Sequence, residues 1–519
     1  MSRIENVSRN IFWGLLERFI ALAVPFITRT VMIYTLGELY SGLNGLFTSI
    51  LQGLSLTELG ISAAITYSMY KPLAEGNTDE VCALLNLNKK AYRSIGFIIF
   101  ALGLCLIPFL GNLIAGEIPV NINIYVLYLM YLGGTALSYE LCSYRMSLVI
   151  AIQRNDIISR VQAVIDVVQL CVQLISLFIC KNYYMFVICG IMCQLINSVI
   201  VAIVSKNMYP IYICKGKVST SVFSDVKQRV SGMLCQRIGS IVLQSVDMIV
   251  ISAFLGLKIL TIYQNYYYII TSLFGILTIL MNSMIATVGN SIVTESIEKN
   301  LHDFKTFNFI YVWLITFCTA CLLCMYQPFM EIWMGEKLML GSEIVFLFAV
   351  YFFIHKWCDM LFVYLEAFGA WWKTKFIPLI AAIINLTLNL LLIQKIGLAG
   401  ILISTVVSVF FVYNIGYAVV LFKDYFKDWK ELCRYVEKQL IYMIVAGIAV
   451  VTTAFLCNLI ALNSIEKLFS VFVVCLIVPN LLYLFVFFRT EEFKSMKALI
   501  KRVIESRYIK NDKNKEIHS

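Results

Sequence analysis

Charged residues are scarce in this sequence. Asp, Glu, Lys and Arg together account for 14% of its 519 residues, and the mean hydropathy is +0.84. Soluble domains carry about 25% charged residues, so a soluble globular protein is excluded. Membrane spans of about 20 apolar residues each would fill more than half of such a chain, which leaves no room for a separate soluble domain.

The sequence also lacks the features of a secreted protein. Arg3 and Arg9 precede an apolar run that is longer than a signal-peptide core and has no small-residue cleavage pattern behind it. We therefore expect this run to remain as the first membrane helix. The 16 Cys residues fall mostly inside apolar runs, which argues against a disulfide framework and favours their interpretation as small hydrophobic residues.

Metal and catalytic signatures are weak. Cys318, Cys321 and Cys324 are spaced like metal ligands, but their apolar run lacks His or acidic neighbours. Helical Cys at three-residue spacing converge poorly on one ion, so structural packing is favoured, and no metal or cofactor is expected. We also expect no enzyme, because the predicted outer loops are short and the predicted cytoplasmic loops contain no Asp-x-Asp.

Long apolar runs dominate what is present. They predict about fourteen transmembrane helices, and hence an all-α polytopic membrane protein. The predicted spans are 10–36, 42–69, 94–115, 122–148, 158–180, 183–205, 231–256, 259–289, 307–330, 341–368, 374–394, 397–422, 439–461 and 467–488. The predicted organisation is an N-lobe of helices 1–6 (1–205), a cytoplasmic linker (206–230), a C-lobe of helices 7–12 (231–422), a cytoplasmic connector (423–438), helices 13–14 (439–490) and a cytoplasmic tail (491–519).

The formal net charge of +10 is concentrated in alternate loops. One set of loops is rich in Lys and Arg, including Lys89, Lys90, Arg93, Arg154, Lys206, Lys215, Lys373 and Lys423. The opposite loops hold single lysines or none. The positive-inside rule places the basic loops and both termini in the cytoplasm, so the charge marks topology rather than a nucleic-acid partner.

Two glycine turns hint at an internal repeat. The first predicted span ends in the segment 33–37 and the seventh in the segment 251–256, and each segment finishes on Gly before a short outer turn. Because each repeat holds an even number of helices, the two lobes would share one orientation and be related by a pseudo-twofold axis along the membrane normal. In transporters built this way the substrate site lies between the halves.

A few basic residues fall inside predicted spans. They are Arg18, Arg29, Arg237 and Lys356. A cation at bilayer depth costs at least about 2.5–3.5 kcal/mol, so it normally faces water or a partner. Arg18 and Arg29 fall on nearly the same helical face, about 16 Å apart. Two interpretations stay open: internal salt bridges that fix helix packing, or a cationic cavity that binds a diphosphate or another anion.

Acidic and amide side chains also occur at depth. Charge partners or cation-coupling groups are expected among Glu58, Glu140, Asp166, Asp247 and Asp359. Gln162, Asp166, Gln169 and Gln173 form a stripe at helical spacing, a pattern that lines cavities or joins helices.

Several stretches of the sequence resemble a known family. They include Leu36 and Gly37, Gly42 to Leu46, Leu54 to Gly60, Tyr70 to Asn77, Val246 to Ile251, and Tyr263 to Tyr266. In these stretches the chain resembles the polysaccharide repeat-unit flippases of bacterial capsule and O-antigen pathways. These belong to the multidrug, oligosaccharidyl-lipid and polysaccharide exporter superfamily.

The resemblance implies both a fold and a function. The fold would be two six-helix lobes, here with two extra helices. The substrate would be an undecaprenyl diphosphate-linked oligosaccharide, moved from the inner to the outer leaflet of the bacterial cytoplasmic membrane by alternating access. Na⁺ or H⁺ is the candidate coupling cation, and polysaccharide polymerase and glycosyltransferases are candidate partners. The alternatives are a cation-coupled multidrug exporter of the same superfamily, or a membrane polysaccharide polymerase or glycosyltransferase.

Overall fold

The computed structural model describes residues 3–55, 61–141, 144–460, 464–502 and 505, and within these ranges the chain is helical and contains no strand. Apolar runs form helices in lipid because a helix satisfies its own backbone hydrogen bonds. The helices are α1 (Arg3–Thr35), α2 (Glu38–Leu54), α3 (Ile61–Glu75), α4 (Thr78–Leu106), α5 (Ile124–Glu140), α6 (Tyr144–Ala151), α7 (Asn155–Ile175), α8 (Tyr183–Met208), α9 (Thr220–Thr294), α10 (Ile297–Met334), α11 (Ser342–Trp357), α12 (Asp359–Phe368), α13 (Trp371–Thr374), α14 (Ile377–Ile396), α15 (Leu398–Ser408), α16 (Ile415–Val420), α17 (Trp429–Asn458) and α18 (Ser464–Phe487).

Ten helical stretches of the described chain are long and apolar enough to cross a membrane. One of them is in fact two helices, because α9 breaks at Gly256, where φ is 84° and ψ is 173°. The predicted seventh and eighth spans lie on either side of this break. The predicted fold class, an all-α polytopic membrane protein, is confirmed.

The predicted glycine turns share an unusual backbone conformation. Gly37 has φ 109° and ψ 168°, close to the values at Gly256. Glycine adopts this region readily because it has no Cβ. The likeness of the two turns is what an internal repeat predicts.

The helices divide into two compact units. Unit 1 comprises Met1–Asn265 and Pro378–Ile401, and unit 2 comprises Tyr266–Ile377 and Leu402–Ser519. These two units do not coincide with the N-lobe and the C-lobe predicted from the order of the spans. The two predicted lobes stay a prediction.

Close helix packing in unit 1 depends on a glycine in α2. A Cβ at Gly42 would collide with the backbone carbonyl of Leu257 in α9. At the same contact, the Thr261 hydroxyl donates a hydrogen bond of 2.6 Å to the Glu38 carbonyl. The predicted family stretch beginning at Gly42 is therefore a helix contact. Elsewhere in unit 1, α1 packs against α7, and α7 packs against α8.

Unit 2 is organised around α10, which packs against α11, α17 and α18. Aromatic rings fill the contact: Phe309 of α10 packs with Tyr442 of α17 and Phe487 of α18. The Trp313 indole N–H also donates to Asn480 Oδ1 at 2.7 Å. The two C-terminal helices are thus joined to α10 by a well-packed core.

Candidate functional site

A polar cavity of about 780 Å³ lies within unit 1, among α1, α2, α4, α5, α7 and α8. Ligand-binding cavities in proteins typically measure about 300–1,000 Å³, so this one has room for a sizeable headgroup. None of its described lining residues is charged. The polar lining consists largely of carboxamides and hydroxyls, including Asn44, Gln52, Tyr131, Thr135, Gln162, Gln169, Gln173, Gln194 and Asn197.

The Gln stripe of α7 faces this cavity, as its spacing predicts. Gln162 Nε2 donates to Asp166 Oδ1 at 2.7 Å, and Gln162 Oε1 accepts from Asn197 Nδ2 of α8 at 2.7 Å. Asn197 Oδ1 is buried and has no hydrogen-bond partner among the described residues. A buried acceptor without a partner is costly, so the wall of the cavity at Asn197 is incompletely hydrogen-bonded.

Another wall of the cavity is formed by α2, α5 and α8. The Tyr131 hydroxyl donates to Asn44 Oδ1 and lies 3.2 Å from the Tyr183 hydroxyl. Farther along α7, Gln169 Nε2 donates to Gln173 Oε1 at 3.4 Å. The cavity therefore presents donors and acceptors side by side, without a net charge.

Arg29 of α1 is held by two carboxamides of α9. Its Nη1 donates to Asn265 Oδ1 and its Nη2 to Gln264 Oε1, each at 2.9 Å. Gln264 and Asn265 are buried. Both acceptors are uncharged carboxamide oxygens, and the two bonds orient the guanidinium. Arg29 lies one residue along α1 from Thr28, which lines the cavity.

Arg18 and Arg237 are the other predicted cations of unit 1. Arg18 is an exposed residue of α1 that interacts electrostatically with its neighbour Glu17. Arg237 lies in α9, but its side chain falls outside the described part of the structure. Neither Arg18 nor Arg29 is among the described lining residues of the cavity, and their shared binding role stays a prediction.

Lys356 belongs to unit 2 and is buried. Its Nζ lies 2.9 Å from Asp359 Oδ2 and 4.5 Å from the centre of the Phe274 ring. The Tyr311 hydroxyl also donates to Asp359 Oδ2 at 2.6 Å. Charges removed from water are tolerated when they are paired and hydrogen-bonded, and here both conditions hold. The contacts of Lys356 fit the first of the two interpretations, an internal salt bridge.

The remaining predicted acids have diverse partners. Glu140 Oε2 lies 3.6 Å from Arg93 Nε. Asp166 accepts a hydrogen bond from Gln162, as described above, and Asp247 accepts one from Asn389 Nδ2 at 2.6 Å. Glu58 lies outside the described residues. Of these acids, Asp166 has the most direct link to the cavity.

Several cavity residues were not predicted from the sequence. Asn44 recurs with Thr48 and Gln52 at four-residue spacing on α2, Gln194 and Asn197 are three residues apart on α8, and Tyr131 lies in an apolar run of α5. The signal that could have found them is an uncharged amide at bilayer depth, which needs a partner or a polar space as a charge does. Formal charge, the feature that selected the predicted residues, does not mark these positions.

The chain has a known membrane-transporter fold. A structure described as lipid II flippase MurJ in an inward closed conformation superposes with a TM-score of 0.65, at 14% identity, covering 91% of this chain and 99% of that one. An inward-facing multidrug resistance MATE family transporter of the MOP superfamily gives 0.58 at 11% identity, covering 76% and 93%. A point mutant of the Vibrio cholerae MATE transporter VcmN gives 0.55 at 16% identity, covering 82% and 99%.

The sequence comparisons give no match: no protein-family model and no curated protein matches the chain. The structural similarity to these transporters, at low sequence identity, establishes the fold of the chain. This protein is therefore a multi-pass α-helical membrane protein with the fold of MurJ and the MATE transporters, and the superfamily fold predicted from the sequence is confirmed.

Proposed function

We propose that this protein is a flippase for a lipid-linked oligosaccharide, and that the sugar headgroup occupies the polar cavity of unit 1. The observation that carries the proposal is the uncharged carboxamide and hydroxyl lining of that cavity. A fold shared with a lipid II flippase supports it.

The chemistry of the lining suits sugars. Each sugar hydroxyl is both a donor and an acceptor, and leaving such a group unpaired in an apolar medium costs several kcal/mol. Carboxamides such as Gln169 and Gln194 present both kinds of group. A headgroup in the cavity would exchange its water for these side chains, while a polyprenyl tail stays in lipid.

The lining disfavours the alternative of a cationic-drug exporter. A cavity for lipophilic cations would place carboxylates where the ligand binds. Among the described lining residues there is none, although Asp166 lies behind Gln162. Asp166 is the acid that we propose for coupling to Na⁺ or H⁺.

We assign the diphosphate to Arg29. Its guanidinium is oriented by two carboxamides, and Arg29 follows the lining residue Thr28 in sequence. Guanidinium groups bind phosphate oxygens in a bidentate manner, which suits this position. Arg18 and Arg237 stay candidates for the same anion at other points of its path.

The proposal includes the cellular setting predicted from the sequence. The protein would act in the bacterial cytoplasmic membrane, with both termini in the cytoplasm, between glycosyltransferases that build the repeat unit and a polymerase that consumes it. The product would enter a surface polysaccharide such as capsule or O-antigen.

Gene deletion tests the function. A strain without a paralogue should lose its surface polysaccharide and accumulate undecaprenyl-linked repeat units on the inner leaflet, and the parent gene should restore both. Unchanged surface polysaccharide would contradict the proposal.

Reconstitution separates the flippase from the exporter. Vesicles containing the purified protein should move a labelled lipid-linked oligosaccharide between leaflets and should not transport a cationic dye along a Na⁺ or H⁺ gradient. Dye transport without lipid movement would favour the exporter.

A further inference from the structure

Three thiols from three different helices meet in unit 2. The Sγ atoms of Cys324 (α10), Cys457 (α17) and Cys475 (α18) all lie within 4.8 Å of one another. Cys457 is 4% exposed and Cys475 is fully buried, whereas Cys324 is half-buried. Among the Cys, His, Asp and Glu side chains of the described residues, these three thiols form the group of three that could bind one metal ion together.

The surroundings of the cluster are apolar. Val471, Val474, Ile460 and Met325 pack around it, and the thiol of Cys321 contacts Cys475. The Cys475 thiol also donates a weak hydrogen bond of 3.7 Å to the Ala320 carbonyl. An ion bound here would depend mainly on sulfur.

The number and type of donors select the ion. Zn²⁺ takes four ligands in a tetrahedron at structural sites, whereas soft thiolates without oxygen or nitrogen donors favour Cu(I). Three sulfurs that surround an ion at about 2.3 Å lie about 4.0 Å apart. The observed separations, at most 4.8 Å, are close to that arrangement.

We propose that Cys324, Cys457 and Cys475 bind one Cu(I) ion, which links α17 and α18 to α10. Binding replaces thiol protons with the metal, and the protons leave to solvent. The ion keeps its oxidation state, so no oxidant or reductant is consumed. The site lies in unit 2 and does not depend on the proposed function.

The sequence supplies a matched control. Cys318 and Cys324 share α10, but Cys318 is not part of the converging group. The metal-like spacing of Cys318, Cys321 and Cys324 is thus not the site, because the other two ligands come from helices more than a hundred residues away.

The experiment uses the full-length protein, purified in detergent under anaerobic, reducing conditions. Chelator-buffered Cu(I) is added to the parent, to Cys457→Ser and to Cys318→Ser, and bound copper per chain and the thermal unfolding midpoint are measured. Zn²⁺ alone is the second probe. Should Cys457→Ser fail to fold, Cys324→Ala at the half-buried position replaces it.

The parent and Cys318→Ser should each bind one more Cu(I) per chain than Cys457→Ser. Cu(I) should raise the unfolding midpoint of the first two proteins only, because a ligand that binds the folded state stabilises it. Equal copper uptake and equal midpoints in all three proteins would overturn the site. A midpoint shift with Zn²⁺ but not with Cu(I) would overturn the choice of ion.

Discussion

Two polar sites, the Lys356–Asp359 pair of unit 2 and the cavity of unit 1, differ in how their polar groups are satisfied. In unit 2, Lys356 and Asp359 form a salt bridge, and the Tyr311 hydroxyl is a third partner. In unit 1, uncharged carboxamides line an open space and leave an acceptor of Asn197 without a partner among the described residues. The buried pair fixes helix packing, whereas we propose that the uncharged cavity lining holds a ligand. Substitutions in each unit can break this contrast.

The largest effect is expected when the charge pair of unit 2 is broken. Asp359→Ala leaves Lys356 charged and buried, which should lower the free energy of unfolding by about 3–5 kcal/mol. Replacing both residues, as Lys356→Met with Asp359→Leu, should recover most of this loss because no charge remains buried. Denaturant unfolding in mixed micelles measures both. A double variant as unstable as Asp359→Ala would contradict the pairing.

A smaller effect is expected at Arg29. Arg29→Lys cannot reach Gln264 and Asn265 with two parallel N–H groups, so it should lose about 1.5–3 kcal/mol of unfolding free energy and most lipid transport. The matched control is Arg160→Lys, at a cation that packs on the Trp13 ring. If Arg29→Lys transports at the parent rate, transport does not depend on bidentate binding of the diphosphate by Arg29.

The helix contact of unit 1 should respond to a single methyl group. Gly42→Ala places Cβ against the Leu257 carbonyl and should cost about 1–3 kcal/mol. Gly53→Ala lies on the same helix with its nearest neighbour 4.0 Å away, so it should be neutral or slightly stabilising. Thermal unfolding of the two variants compares them directly. Equal midpoints would contradict the close approach of α2 to α9.

The smallest change in stability is expected in the cavity itself. Gln169→Ala should alter the free energy of unfolding by no more than about 0.5 kcal/mol, because its neighbour Gln173 keeps its own bond to the Phe186 carbonyl. Lipid transport should nevertheless fall. If Gln169→Ala loses stability but keeps lipid transport, Gln169 supports packing and does not bind the substrate.

The helices could be predicted from the sequence because each apolar run specifies one locally. The stripe on α7 was also visible, since Gln162, Gln169 and Gln173 repeat at helical spacing within one span. The partners of Arg29 were not visible, because Gln264 and Asn265 lie more than 200 residues away. Only the fold brings such groups together.

The partners of the predicted cations also depend on which residues the fold brings near. Arg29 and Lys356 looked alike in sequence as basic residues at bilayer depth. Their surroundings differ. Two carboxamides accept hydrogen bonds from Arg29, whereas a carboxylate three residues along the chain pairs with Lys356. The i,i+3 spacing of Lys356 and Asp359 was a local signal for a salt bridge, and no comparable local signal exists for Arg29.

Binding of the lipid-linked oligosaccharide tests the central claim most directly. The purified parent, the double variant Gln169→Ala with Gln194→Ala, and the exposed control Gln394→Ala should be titrated with the same lipid. We predict that the double variant binds about tenfold or more weakly, because each lost hydrogen bond is worth about 0.5–1.5 kcal/mol, and that the control binds like the parent. Equal affinity of all three proteins would contradict the placement of the sugar headgroup in the cavity of unit 1.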